Sequence, residues 1–224
     1  METGGPQEGP VADDGGLSVL GGHLALDFAN TLEGRGTPRE RDRLADYPAL
    51  VDWAFGAGAV DRREAADLRA YADWAPGSAA EALGDARALR EAVYRVAAAV
   101  ASSGSSAAPD PADLDALNRG LAPLLGATRL AATPAGLAPA WGGAPDGLER
   151  VLWPVARAAF DLLSGAAAGR LRECAGADCR RLFLDRSKNG SRRWCAMSDC
   201  GNLAKARRHR ARVKDRATSG DSAE

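Results

Sequence analysis

The stretches CAGADC at residues 174–179 and CAMSDC at residues 195–200 hold every cysteine of this 224-residue chain. Four residues lie between Cys174 and Cys179, four between Cys195 and Cys200, and fifteen between the two pairs. Tetrahedral zinc is satisfied by four thiolates supplied as two close pairs on turns, with the intervening segment closing the site. Two disulfides are the alternative. The first sixteen residues are acidic and Gly/Pro-rich, without the basic and apolar regions of a secretory signal. A reducing, cytoplasmic setting is therefore expected, where disulfides rarely persist. Thiol redox chemistry is a third option, but the spacing differs from the Cys-x-x-Cys of thiol oxidoreductases. Four sulfur ligands leave no open position for water, so the expected cofactor is one structural Zn2+.

Between the pairs, residues 180–194 predict two short strands around a polar turn at Asn189-Gly190, a basic hairpin. After Cys200 and Gly201, the run Leu203–Lys214 contains no Pro, Gly or acidic residue and predicts a helix with Asn202 as its N-cap. At about 100° per residue, Leu203, Ala206, Arg210 and Val213 form a stripe suited to lean on the metal core. Lys205, Arg208, His209 and Arg212 form an adjacent one. A short basic helix held by a metal knuckle suits phosphate contacts, and Arg can also read guanine edges.

The run from Trp194 to His209, with the upstream cysteine pair and Leu182-Phe183-Leu184-Asp185, resembles the bacterial CGNR zinc finger. Proteins with this finger usually carry an N-terminal ABATE domain. Residues 24–32 (LALDFANTL), Leu44-Ala45-Asp46-Tyr47 and Leu50-Val51-Asp52-Trp53-Ala54 are similar to that domain. The resemblance implies a stress-induced transcriptional regulator whose finger binds DNA and whose larger domain acts as a sensor. The fourth motif position departs from the family: this chain has Cys200-Gly201-Asn202-Leu203. A family arginine that contacts DNA would be lost there, whereas one that only packs near the zinc could be replaced by a buried leucine.

The charge distribution points the same way. Residues 1–169 carry 14 Arg, no Lys and 23 acidic groups, net −9, whereas residues 170–216 carry 15 Lys and Arg against 5 acidic groups, net +10. A basic segment of this density is suited to a polyanion. The composition, 46% hydrophobic and 26% charged, is that of a globular protein, and no apolar stretch is long enough to span a membrane.

The sequence predicts a mainly α protein with a small β-hairpin component. A helical, ABATE-like domain at 17–168 precedes a four-cysteine hairpin-plus-helix module at 170–216. Flexible tails are expected at 1–16 and 217–224, and a joint at Gly165–Gly169. Leu24, Phe28, Thr31 and Leu32 fall at helical spacing. Asp46 precedes a helix with Pro48 in its first turn and Leu50, Val51, Ala54 and Phe55 facing inward; Asp61 and Glu64 form a capping pair. A long helix follows Pro76, with Leu83, Ala86, Leu89, Val93, Val96 and Val100 on one face. Ser102–Ala108 reads as a loop, and Asp110-Pro111 opens a helix through Leu117 and Leu121. Thr128–Thr133 and Leu137–Trp141 predict a hairpin, and a last helix runs from about Asp146. Trp53, Trp74, Trp141 and Trp153 are expected in core or hairpin packing, and Trp194 under the knuckle.

Catalytic groupings are sparse. Neither His23 nor His209 has a nucleophile in register, and Gly142-Gly143 lacks the lysine of a phosphate loop. A non-enzymatic binding protein is expected. Arg192, Arg193, Lys205, Arg207, Arg208, Arg210 and Arg212 are the candidate DNA contacts. Asp27 and Asn30, one helical turn apart, are candidates for a ligand pocket in the sensor domain, although capping or core hydrogen bonding serves such residues equally. A small-molecule effector or homodimer formation are the roles open to the helical part. The rival functions are an RNA- or ribosome-associated module, and a small-molecule binder with a purely structural finger.

Overall fold

The computed structural model describes residues 21–103, 108–144 and 146–220, with side chains assigned to residue 212 apart from Ser103. The expected tail at 1–16 lies outside the described residues. Helices dominate, and three separate two-stranded antiparallel pairs accompany them.

Local capping chemistry sets most helix starts. Helix α1 spans Leu24–Ala29 and α2 spans Tyr47–Gly56, where the Asp46 carboxylate accepts the Ala49 N–H at 2.8 Å and Pro48 fills a first-turn position needing no donor. Helix α3, Arg62–Trp74, opens with a reciprocal Asp61/Glu64 capping box. Helix α4, Pro76–Ser103, is the central element: it packs against α1, α2, α3 and α5 (Pro111–Gly126). Its inward face carries Leu83, Ala86, Leu89, Val93 and Val96, all buried, with Val100 partly so. The loop expected from Ser102 therefore begins later, since α4 reaches Ser103; residues 104–107 lie outside the described residues.

Strands β1 (Leu32–Glu33) and β2 (Arg41–Asp42) form a short ladder after α1, and β3 (Thr128–Thr133) pairs with β4 (Gly136–Trp141) across the turn at Pro134-Ala135. The final long helix is divided. Residues Leu148–Leu152 form a 3-10 turn, and α6 proper spans Trp153–Ser164. Pro154 explains the break, because it has no N–H to donate and its ring crowds the carbonyl four residues back.

Two aromatic expectations are reversed. Trp53 is buried in α2, its ring 5.2 Å from that of Phe28, whereas Phe55 is 41% exposed. The two residues sit about 200° apart around the helix, so only one can face the core. Trp74, expected in packing, is 81% exposed at the end of α3.

The finger is not suspended from a free joint. The joint segment forms a 3-10 turn at Ala166–Arg170, followed by β5 (Leu171–Glu173), which pairs antiparallel with β6 (Leu182–Leu184). Leu171, Leu182 and Leu184 belong to the same hydrophobic core as α1, α4 and α6. This ladder replaces the expected hairpin within 180–194: the 192–194 segment is not a strand, and β6 pairs with the chain before the first cysteine. The physical reason is Asp185. Its fully buried carboxylate accepts the N–H groups of Ser187 at 2.9 Å and Arg192 at 3.0 Å, drawing the chain after β6 into a loop around one side chain. Gly190, at φ 61°, supplies the left-handed residue that the loop needs. The last helix, α7, spans Asn202–Gly220, so residues 217–220, expected in a tail, are helical: no proline or glycine interrupts the chain between Asn202 and Gly220. Among the described residues no helix is long and apolar enough to cross a membrane.

Candidate metal centre and nucleic-acid interface

The first knuckle begins where β5 ends. Cys174 N–H donates to the Arg181 carbonyl at 2.8 Å, continuing the ladder by one bond, and Cys179 N–H closes onto the Gly176 carbonyl at 3.1 Å. A Cβ on Gly176 would lie 3.1 Å from the Cys179 Cβ and 3.3 Å from the Cys200 Sγ, so the turn accommodates the sulfurs only with glycine there or with a shift of the ligands. Arg180 takes φ 55°, rare for a side chain of its size, to reverse the chain from Cys179 into β6. The Tyr94 hydroxyl on α4 donates to its carbonyl at 3.0 Å and holds that reversal.

The second knuckle is brought to the first by the Ala175 N–H, which donates to the Arg193 carbonyl at 2.9 Å, and by the Cys195 N–H, which donates to the Cys174 sulfur at 3.4 Å. Between Cys195 and Cys200 the chain makes a wide helical turn, Met197–Gly201, and a Cβ on Gly201 would stand 2.7 Å from the Met197 sulfur. Asn202 is already helical. Its side-chain amide donates to the Ser198 carbonyl at 3.1 Å, so it ties α7 to the knuckle instead of capping the helix as expected.

All four sulfurs lie within 4.8 Å of one another, and the Cys179–Cys195 and Cys195–Cys200 separations are 3.6 and 3.7 Å. Sulfurs at about 2.3 Å from a tetrahedral zinc stand roughly 3.8 Å apart, so the set fits one Zn2+. None of the four cysteines is in a disulfide. Cys174, Cys195 and Cys200 are buried, Cys179 is partly so, and Phe183 and Trp194 pack around them. Without a cation the sulfurs compete for charge. Hydrogen bonds from Cys179 and Cys195 hold the Cys174 thiol low; those same bonds push Cys179 and Cys195 up, and burial raises Cys200. A dication is what allows all four to be thiolates together.

The proposed cation surface divides into two groups. Arg192 is committed to the knuckle: it donates to the carbonyls of Trp194, at 2.9 Å, and Cys195, and its guanidinium lies 4.6 Å from the Phe183 ring centre. It is a brace rather than a free cation. Arg207 pairs with Asp178 of the first knuckle at 3.0 Å, and Arg193 lies over the Trp194 ring. Lys205, Arg208, Arg210 and Arg212 are exposed along α7, and none of these four is ion-paired among the described residues. Of the stripe expected to lean on the zinc core, Leu203 and Arg210 are exposed and Ala206 is half-buried, while the side chain of Val213 lies outside the described residues. Leu203 is 47% exposed and, with Arg207, Cys179 and Arg39, lines a cleft of about 390 Å³ beside the knuckle. Its side chain therefore does not occupy the buried position considered for a leucine at that point in the motif.

Asp27 and Asn30 have structural partners instead of a pocket. The Asn30 amide donates to the Leu182 carbonyl at 2.8 Å, and its oxygen accepts the Leu182 N–H at 2.9 Å, so one side chain bonds β6 as a neighbouring strand would. Asp27 accepts the Gly21 N–H at 2.7 Å, and burial pushes its carboxyl up to about 6 against the pull of the Gly21 and His23 amides. Neither residue lines either of the two main clefts.

Further ties between the two parts escaped the sequence reading. Arg181 pairs with Glu33 at 2.8 Å, Arg186 donates to the Gly22 carbonyl at 2.7 Å, and Leu184 N–H donates to the Gly21 carbonyl at 2.9 Å. These bonds join positions some 150 residues apart in sequence, so no local pattern reveals them. Asp185 was more accessible, as an acidic residue directly after an apolar strand in a basic segment.

Comparison with known families assigns both parts. The ABATE model, described as "Putative stress-induced transcription regulator", matches residues 22–166. The CGNR zinc finger model matches residues 170–213. No curated protein matches the chain.

Proposed function

The chain belongs to the ABATE family and ends in a CGNR zinc finger, and from that premise we propose that it is a transcriptional regulator that binds DNA through α7. The observation that carries this reading is the set of four exposed cations on α7, Lys205, Arg208 and Arg212 along one side and Arg210 on another, with the first turn of the helix fixed by the zinc knuckle. Zinc orients the helix and contributes no chemistry of its own. The four side chains, together with Arg193 of the second knuckle, neutralise phosphates, and Arg207 joins them when it exchanges Asp178 for a phosphate oxygen. Arg192 keeps the second knuckle in place. The helical domain receives the signal, and the protein acts by binding rather than by catalysis in the cytoplasm.

The test compares zinc-loaded wild type with a K205Q/R208Q/R210Q/R212Q variant on a mixed-sequence DNA duplex, with zinc content measured in both. Loss of binding at unchanged zinc content supports the reading. Retained binding, or stronger competition by a matched RNA duplex or single strand than by DNA, rejects it.

A further inference from the structure

A large cleft lies on the face of the helical domain formed by α3, α4 and α5, with Gly143, Ala144, Asp146 and Gly147 along one side. Its volume is about 970 Å³. That is at the upper end of the range of small-molecule sites. Ala82, Leu89, Leu124, Leu148 and Leu152, all buried, form its floor.

Its walls combine two features. Three aromatic side chains, Tyr71, Trp74 and Trp141, stand around it. Trp74 is 81% exposed and its only ring contact among the described residues is edge-on with Tyr71, 6.4 Å away, so a broad indole face is open to solvent. Exposing a tryptophan to this extent costs apolar hydration that a bound ring or cation would recover. The second feature is charge. Glu91 is already engaged by Arg35 and Arg90, and Arg95 by Asp113 at 2.5 Å. Apart from these, the wall carries Glu81, Asp85, Asp146 and Glu149 against Arg119. Glu81 and Asp85 are four residues apart on α4, so they share one face of the helix, below the aromatic rim.

We propose that this cleft binds a small organic cation with an apolar or aromatic body. The rim aromatics take the body or the cationic head on their faces, the carboxylates supply the field, and the leucine floor excludes water beneath. An anionic ligand is disfavoured by the wall charge, and an inorganic cation would leave the aromatic rim and apolar floor unused. The inference rests on the reading of the helical domain as the part that receives a signal, and it names the site and the class of signal.

The experiment uses the full zinc-loaded chain and two tricyclic dyes of similar size and opposite charge, rhodamine 6G and fluorescein, followed by fluorescence polarisation. Rhodamine 6G is expected to bind saturably at one per chain, with fluorescein at least tenfold weaker. Trp74→Ala and, separately, Glu81→Gln/Asp85→Asn are each expected to weaken rhodamine 6G at least fivefold. All three positions are exposed, and unchanged zinc content and thermal midpoint verify that the variants fold. No saturable binding, equal binding of fluorescein, or affinity untouched by both variants would overturn the proposal. The K205Q/R208Q/R210Q/R212Q variant is expected to bind the dye as wild type does, which separates failure of this site from failure of the DNA surface.

Discussion

Asn30 is the residue on which the union of helical domain and finger most depends. It is buried, and it satisfies both the N–H and the C=O of Leu182 across 152 positions of sequence. Asn30→Ala leaves those two backbone groups in the core without partners. A loss of about 2 to 4 kcal/mol is expected, seen as a thermal midpoint lower by roughly 5 to 10 °C. A midpoint within a degree of wild type would contradict this role. Asp27 is predicted to act through pH. Its carboxyl keeps its proton up to about pH 6 in the folded chain but ionises near 3.8 when unfolded. Between those values the folded state holds more protons, so its contribution to stability is full at low pH and is lost as pH rises through 6. Relative to Asp27→Asn, wild type is expected to lose about 2 to 2.5 kcal/mol between pH 4 and pH 7. Urea titrations of both proteins read this as a difference, in which acid effects common to both cancel; a difference independent of pH would count against it. Neither role was legible in sequence, where an Asp and an Asn one turn apart fit a pocket as well as a core.

At the scale of elements, legibility followed locality. The knuckles, the Asp46 cap, the Asp61/Glu64 capping box and the long helix α4 were readable because each is specified by residues a few positions apart. The β5–β6 ladder was not, because Leu182–Leu184 can pair on either side and a buried Asp185 decides which. The two elements of the finger therefore respond differently to chelation. Removing zinc is expected to release the amides of Cys195 and Gly201, whose acceptors lie within the knuckles, to rapid hydrogen exchange. The Leu182 and Leu184 amides, bonded to Asn30 and Gly21, are expected to stay protected. Uniform loss across both sets would mean that β6 belongs to the zinc unit and not to the main core. Helix α7 gives a further prediction. Leu203 sits half-exposed one turn before Arg207, so Leu203→Arg adds a cation to that face. DNA affinity is expected to rise about two- to fivefold, with the salt slope steeper by about 0.9. A weaker complex would place position 203 away from the phosphates.

The whole molecule is an acidic helical body carrying a basic arm: the −9 of residues 1–169 and the +10 of residues 170–216 nearly cancel in the total. That division was visible in the sequence and hidden only in the net charge. What the fold adds is attachment. Because β5 and β6 lie in the main core, the zinc knuckle and the start of α7 are fixed to α1 and α4, and the arm cannot reorient as a separate unit without breaking the Asn30, Arg181 and Tyr94 bonds. The fold also reduces the set of free cations, since Arg192 braces the knuckle and Arg207 has an acidic partner. The most direct test is the salt dependence of binding to a mixed-sequence DNA duplex, measured by fluorescence anisotropy with the full zinc-loaded chain. Six phosphate contacts, from the four exposed cations of α7 with Arg193 and Arg207, predict that log affinity falls with log salt at a slope of about −5, and that the slope shrinks to about −2 in the K205Q/R208Q/R210Q/R212Q variant, which keeps Arg193 and Arg207. A wild-type slope near zero, or the same slope in the variant, would contradict α7 as the nucleic-acid surface.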